Sequence, residues 1–287
     1  MRPMTAPARL PPLALRLVEP LFERAGLRIF PFTALPGIDP TGGSRLLRLR
    51  YALLESRGWT VRRRYPPDFD SELVEIIERV LPYTLTSIER LAGLVSSVQY
   101  VVGAGLPGAF VECGVWRGGS MMAAALELRR LGVEDRDLYL FDTFSGMSEP
   151  TELDVADAAF AGSPVRAAAS LESINEWCAI GVEEVRRNLR STGYPEARMH
   201  FLEGKVEDTL PQHAPDEIAL LRLDTDWYES TAHEMTHLYP HVCPGGIVLI
   251  DDYGHWLGAR KAIDEYFGSR PPYLHRVDAG ARLVVKP

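Results

Sequence analysis

Lysine is nearly absent from this chain. It stands only at positions 205, 261 and 286, and arginine carries the rest of the basic charge. Cysteine is as sparse: Cys113, Cys178 and Cys243 lie far apart and form no CxxC pair, which excludes a disulfide framework and a structural zinc site. A reducing cytoplasm is therefore the expected compartment. No apolar run approaches the roughly 18–20 residues that a membrane span needs. The opening stretch "MRPMTAPARLPPLALRLVEPLFERAG" lacks an unbroken apolar core before Arg16 and Glu19, and reads as an irregular extension followed by a helix rather than a signal peptide. Basic excess is missing too: the net charge of −8 argues against a general nucleic-acid binder. What remains is a 287-residue chain, 46% hydrophobic, sufficient for one large α/β domain with appendages or for two small domains.

Residues 1–65 read as an N-terminal extension, partly helical. Its tail "SRLLRLRYALLESRG" has helical leucine spacing and a stop at Gly58, and "VRRRYPP" reads as a basic turn. The leucine-spaced helix offers a surface for self-association or for ordinary packing. In the next stretch Asp70 or Ser71 can cap one helix and Thr86 or Ser87 a second, with Pro82 between them. From residue 109 onward, short apolar runs alternate with helical stretches: "GAFVECGV", "DLYLFDTF", "ARMHFLEG", "IALLRLDTD" and "GGIVLIDDYG" as strands, with "YLHRVDAGARLVVKP" as a closing strand or hairpin. This alternation predicts an α/β fold, doubly wound around a mostly parallel sheet, over residues 66–287. The irregular residues 145–181 interrupt it directly after the second strand. They are expected to form a lid over substrate, with Phe160 and Trp177 as an apolar wall.

In such sheets ligands bind beyond the carboxyl ends of the strands. One apolar run ends in Asp224 and the next in Asp251 and Asp252. If the two strands are neighbours, three carboxylates converge, and their mutual repulsion would be relieved by a hard divalent cation: Mg²⁺, Ca²⁺ or Mn²⁺. The plainer reading has Asp226 capping the following helix and Asp252 opening a loop. His255, in "DDYGHW", adjoins the cluster as an alternative base. His233 and His237 share a helix face, but without HExxH they read as surface or packing residues.

"FVECGVWRGGS" is a strand, a turn through Gly114 and a helix opened by Gly118, Gly119 and Ser120. Helix N-terminal amides favour an anionic group, and a cofactor with a carboxylate, such as S-adenosylmethionine (SAM), suits them. The spacing is not GxGxxG, so pyrophosphate is not the first expectation. Asp142, closing the second strand, is placed to accept hydrogen bonds from ribose hydroxyls. Glu203 and Gly204 close the third strand where an adenine edge would be met. Phe144 either stacks on that ring or packs in the core.

Taken together, "ECGVWRGGS", "LYLFDTFSGM", "LRLDTDWYEST", "LYPHVCPGGIVLIDDYG" and "ARKAIDEYF" resemble the macrocin O-methyltransferase (TylF-type) family, over roughly residues 66–275. The resemblance implies a Rossmann-like fold with SAM and Mg²⁺ as cofactors. It implies methylation of a sugar hydroxyl on a small glycosylated bacterial metabolite, with neither nucleic acid nor membrane as partner. Carried over by motif, Asp224, Asp251 and Asp252 hold Mg²⁺, Asp224 is the general base, and Glu112, Gly114, Ser120 and Asp142 bind SAM. "LPYTLTSIERL" is similar to the segment that covers the methionine end of SAM, which brings in Tyr83, Thr84 and Ser87. Thr225 stands where the family usually has glycine.

The chemistry is consistent with those roles. An aliphatic alcohol is a poor nucleophile at neutral pH, and a chelating cation with a nearby carboxylate base corrects this. Chelation favours adjacent acceptor oxygens, so a sugar diol or a catechol fits. The absence of a lysine near Asp224 in sequence favours the sugar over a lysine-assisted phenol. A nicotinamide-dependent oxidoreductase and a non-catalytic nucleoside-binding scaffold are the readings from other classes.

Overall fold

The computed structural model describes residues 27–31, 59–63, 65–156, 175 and 178–287. The chain divides into two compact units, Met1–Val74 and Glu75–Pro287. In the first, strand β1 (Leu27–Pro31) pairs antiparallel with β2 (Trp59–Arg63), Ile29 opposite Val61. Val61 to Arg63 were expected in a basic turn. They are extended instead, as suits the aromatic and β-branched residues Trp59, Thr60 and Val61. The helices expected within residues 1–26 and 44–58 lie outside the described residues, as do Phe160 and Trp177.

Helix α1 (Ser71–Val80) starts where Asp70 Oδ1 accepts the Leu73 amide at 2.8 Å, and Pro82 stands in the short turn that follows. Ser87 caps α2 (Ile88–Gly103), its hydroxyl accepting the Arg90 amide at 3.2 Å. Strand β3 (Ala109–Cys113), α3 (Gly119–Arg130) and β4 (Leu138–Asp142) follow, then α4 (Val182–Arg190), β5 (Met199–Glu203), the short α5 (Val206–Thr209) and β6 (Ile218–Leu223). Helix α6 (Tyr228–His237), β7 (Val242–Ile250), α7 (Leu257–Phe267), β8 (His275–Arg276) and β9 (Arg282–Val285) complete the chain.

The second unit is built on a seven-stranded sheet of order β5-β4-β3-β6-β7-β9-β8. Strands β3 to β7 run parallel, and the C-terminal hairpin adds β9 and β8 antiparallel. Every residue of β3 and of β6 is buried, as expected of central strands covered on both faces. From β3 the chain winds outward to β4 and β5, then returns to lay β6 on the other side of β3. Right-handed crossovers therefore place the β3–β4 and β6–β7 helices on opposite faces. The direction of winding reverses between β3 and β6, and a crevice opens there beyond the strand ends. No described helix is long and apolar enough to cross a membrane.

Candidate active site

A cavity of about 690 Å³ occupies that crevice. Its wall runs from Gly114, Ser120, Asp142 and Gly204 on one side to Asp224, Asp226, Asp251 and Asp252 on the other, with Tyr83 and Thr84 beside them. One side holds the residues expected at a nucleoside, and the other the expected acids.

Backbone economy sets the nucleoside side. Gly114 has φ of +81°, and a Cβ there would lie 2.0 Å from the Asp224 carbonyl oxygen, so only glycine lets the β3 turn lie against the β6 turn. Gly119 plays the same part for the segment before α2, since its Cβ would lie 2.5 Å from the Tyr83 oxygen. Gly118, expected at the ligand, packs instead on Leu189 of α4 and is not in the cavity wall. Asp142 faces the cavity, yet its carboxylate already has protein donors. Oδ2 accepts the amides of Val115 at 2.6 Å and Trp116 at 3.0 Å, and Oδ1 accepts the Phe144 amide at 2.8 Å.

Four more expected cofactor contacts lie away from the cavity wall. Phe144 is buried with its ring 6.5 Å from that of Phe201, the core alternative of the two. Glu203 is exposed at the strand end. Ser87 is occupied as a helix cap and donates to Asp278 at 2.9 Å. Glu112 is buried opposite Arg222 in the β3–β6 register and receives its Nη1 at 2.7 Å.

On the acid side, β6 and β7 are neighbours in parallel register, Leu223 opposite Ile250, so the carboxylates do converge. They do not meet alone. Arg222 Nη2 reaches Asp224 Oδ2 at 2.8 Å and Asp251 Oδ1 at 3.0 Å. Arg90, from α2, donates to the other oxygen of Asp251 and, through Nε, to Asp278 at 2.8 Å. Burial disfavours ionisation of Asp251, but the two guanidiniums hold its carboxyl below the usual range. Burial also works against the charge on Arg90, while Asp251 and Asp278 raise its pKa above the ordinary value.

The other acids lack such compensation. Burial pushes Asp224 well up, against the pull of Arg222, and Asp252 well up with help from Asp226. Asp226 is pushed to about 7, by burial first and then by Asp224. Asp226 is not a helix cap: it sits at φ of +68°, outside α6, with its Oδ1 accepting Trp256 Nε1 at 2.5 Å and its amide donating to Asp252 at 3.0 Å. The Tyr228 amide at the start of α6 is satisfied from elsewhere, by Asp154 at 2.7 Å.

His255 lines the cavity with Nε2 at 3.2 Å from Arg90 Nη2, and burial followed by Arg90 lowers its pKa. The rings of His233 and His237 lie tilted with centroids 4.3 Å apart and are not in the wall. Lys205 is in the wall beside Gly204, so the lysine poverty of the acid runs does not extend to the whole cavity. Of the stretch expected as a lid, Gly146, Met147, Ser148, Ala156 and Cys178 line the cavity. There Trp227 Nε1 donates to Ser148 at 3.0 Å and Ala156 bridges to Trp256.

Among the described residues, no group of three or more His, Cys, Asp or Glu side chains is placed to hold a metal ion. The donor chemistry nevertheless fits a divalent cation. Asp224, Asp226, Asp251 and Asp252 have two guanidiniums beside them, Arg90 and Arg222, which also serve Asp278 and Glu112, so the carboxyl groups outnumber the cations. Asp224 and Asp252 suit Mg²⁺, which takes one or two carboxylates and otherwise water or substrate oxygens.

Arg90, Arg222 and Asp278 carry no functional signal in the sequence, where Asp226 is legible only as a helix cap and Gly119 only as part of a helix start. Arg222 stands out only as a charged residue inside a run otherwise suited to a buried strand.

The profile of the family described as Macrocin-O-methyltransferase (TylF) matches residues 49–277. The chain is 39% identical over 184 residues to demethyldecarbamoylnovobiocin O-methyltransferase of Streptomyces niveus, covering 64% of this chain and 67% of that protein. It is 36% identical over 202 residues to 8-demethyl-8-(2,3-dimethoxy-alpha-L-rhamnosyl)-tetracenomycin-C 4'-O-methyltransferase of Streptomyces olivaceus, covering 70% and 74%. The solved structure of the O-methyltransferase NovP superposes with a TM-score of 0.62 at 36% identity, covering 71% of this chain and 82% of that one.

Proposed function

The chain belongs to the macrocin O-methyltransferase family, and from that membership we propose that it moves a methyl group from SAM to a sugar hydroxyl on a bacterial secondary metabolite, with Mg²⁺ at the acceptor. The observation that carries this reading is the single cavity joining the glycine turn and Asp142 to the acid cluster. SAM supplies the methyl group as a sulfonium. Asp224, Asp251 and Asp252 would hold Mg²⁺, which would supply a Lewis acid that lowers the pKa of the acceptor hydroxyl.

The chain's own residues do the rest. Gly114 and Ser120, with Tyr83 and Thr84 beside them in the cavity wall, seat the cofactor. Asp226 takes the proton of the acceptor hydroxyl as the O–CH3 bond forms and the S–CH3 bond of SAM breaks, leaving the neutral thioether. The role moves here from Asp224, because the Asp224 carboxylate is held by Arg222 whereas Asp226 faces the cavity with Trp256 as its side-chain donor. Trp227 and Trp256, edge to face at 5.0 Å, close the wall against water.

Calorimetric titration with S-adenosylhomocysteine (SAH) in Mg²⁺ buffer tests the cofactor, and micromolar binding is expected. Methylation of glycosylated acceptors, with and without EDTA, tests the reaction. Absence of SAH binding by two independent probes would sink the reading.

A further inference from the structure

The guanidinium of Arg90 is seated with unusual completeness. Nε donates to Asp278, Nη1 to Asp251, and Nη2 lies 3.2 Å from His255 Nε2. Its seat is shaped by the β8–β9 turn. Asp278 Oδ1 accepts the amides of Gly280 at 2.8 Å and Ala281 at 2.7 Å, which leaves Oδ2 for Arg90 and the Ser87 hydroxyl. Gly280 makes the room: a Cβ there would lie 2.1 Å from Arg90 Nη2. Arg90 thus reaches the acid cluster from α2, whereas Arg222 is part of the sheet itself.

We propose that Arg90 is the resident counter-cation of the acid cluster: its guanidinium holds Asp251 when no divalent cation is bound, and a divalent cation must displace it from that carboxylate. The inference rests on the reading of the cluster as a divalent-cation site. Both cations seek the same oxygen lone pairs of Asp251, and two positive charges cannot share that position without mutual repulsion. Asp278 gives the displaced guanidinium an anchor, so Arg90 can leave Asp251 without becoming an unpaired buried charge. Because Arg90 rides on the first turn of α2, directly after the cavity-lining segment Tyr83–Thr86, cation entry also reaches the wall of the cofactor side.

The test is the affinity of the full chain for Mn²⁺ alone, read from the free-ion paramagnetic resonance signal. Arg90→Gln is expected to bind Mn²⁺ about ten-fold more tightly than the parent, because a competing charge is gone. A merely structural arginine predicts weaker binding instead. Arg90→Lys keeps the charge and is expected within about three-fold of the parent. Equal or weaker Mn²⁺ binding by a folded Arg90→Gln protein overturns the proposal.

If Arg90→Gln melts at the assay temperature, Asp278→Asn decides. Without that anchor Arg90 leans on Asp251, and Mn²⁺ binding is expected to weaken at least about three-fold. Unchanged or tighter binding overturns the proposal. SAH titration of the same samples separates the two readings: a parent that binds no SAH sinks the cofactor assignment, while the Mn²⁺ comparison still decides Arg90.

Discussion

Asp142 accepts the amide of Val115 at 2.6 Å and so fastens the end of β4 to the turn that leaves β3. The acid expected to hold a ribose is also the clasp of the loop that would hold the rest of the nucleoside. Asp142→Ala is therefore expected to weaken SAH binding by about 1.5–3 kcal/mol, as for lost hydrogen bonds to a charged group. Asp142→Asn should recover part of this, because its amide oxygen can still accept from Val115 and Trp116. Calorimetry reads both, and parent-like affinity in the alanine variant would remove Asp142 from the site.

Arg222 is buried and shared by Glu112, Asp224 and Asp251. Replacing it with methionine leaves those acids without their common partner. Arg222→Met is expected to cost about 3–5 kcal/mol in urea unfolding, the scale for breaking a buried ion pair from one side. A loss under about 1 kcal/mol would show that the acids are neutral in the folded chain.

Asp226→Asn removes the proposed proton acceptor and keeps the side-chain volume. Initial-rate kinetics are expected to show kcat reduced at least about a hundred-fold, with SAH affinity within about three-fold of the parent. His255→Gln should reduce kcat less, since His255 meets Arg90 rather than the base. The reverse order of the two effects would assign the proton to His255.

The Asp278 carboxyl is lowered to about 2: burial opposes ionisation, and the hydrogen bond from Arg90 and the Ala281 amide override it. A folded-state value below the ordinary 3.8 means that the stabilisation is fully present above about pH 4. It is lost as the pH falls towards 2. Asp278→Asn is expected to cost about 2 kcal/mol at neutral pH and to flatten the pH dependence of stability between about pH 4 and 2. Denaturant unfolding across that window, parent against variant, measures both effects, and parallel curves would contradict the assignment.

Much of the frame could be read from the chain alone. Unbroken apolar runs and intervening helical stretches led to the parallel sheet, and carboxylates at two successive strand ends led to their convergence. What could not be read was which way charged side chains turn and what neutralises them. Glu112 was expected at the cofactor only because the resemblance of "ECGVWRGGS" implies it, but its strand neighbour in register is Arg222, and a cross-strand partner is invisible in one strand. Arg90 sits 161 residues from Asp251, in a helix whose sequence reads as an ordinary amphipathic segment. Asp226 resembled a cap because it precedes a helix by two positions. A left-handed backbone at that residue turns it elsewhere, and Asp154, 74 residues upstream, supplies the cap. Gly118 and Gly119 are adjacent in sequence, and only packing tells which one faces α4 and which faces Tyr83.

The contact of Gly114 with the carbonyl of Asp224 leaves no slack between the two turns. Any shift of one drags the other, so the donor and acid halves keep a fixed spacing. New acceptors must then be accommodated from the periphery, where Leu85 stands largely uncovered and Met147, Ser148 and Ala156 line the cavity. Lineages that differ in the molecule they modify should differ first at those positions, while the floor beneath them stays the same.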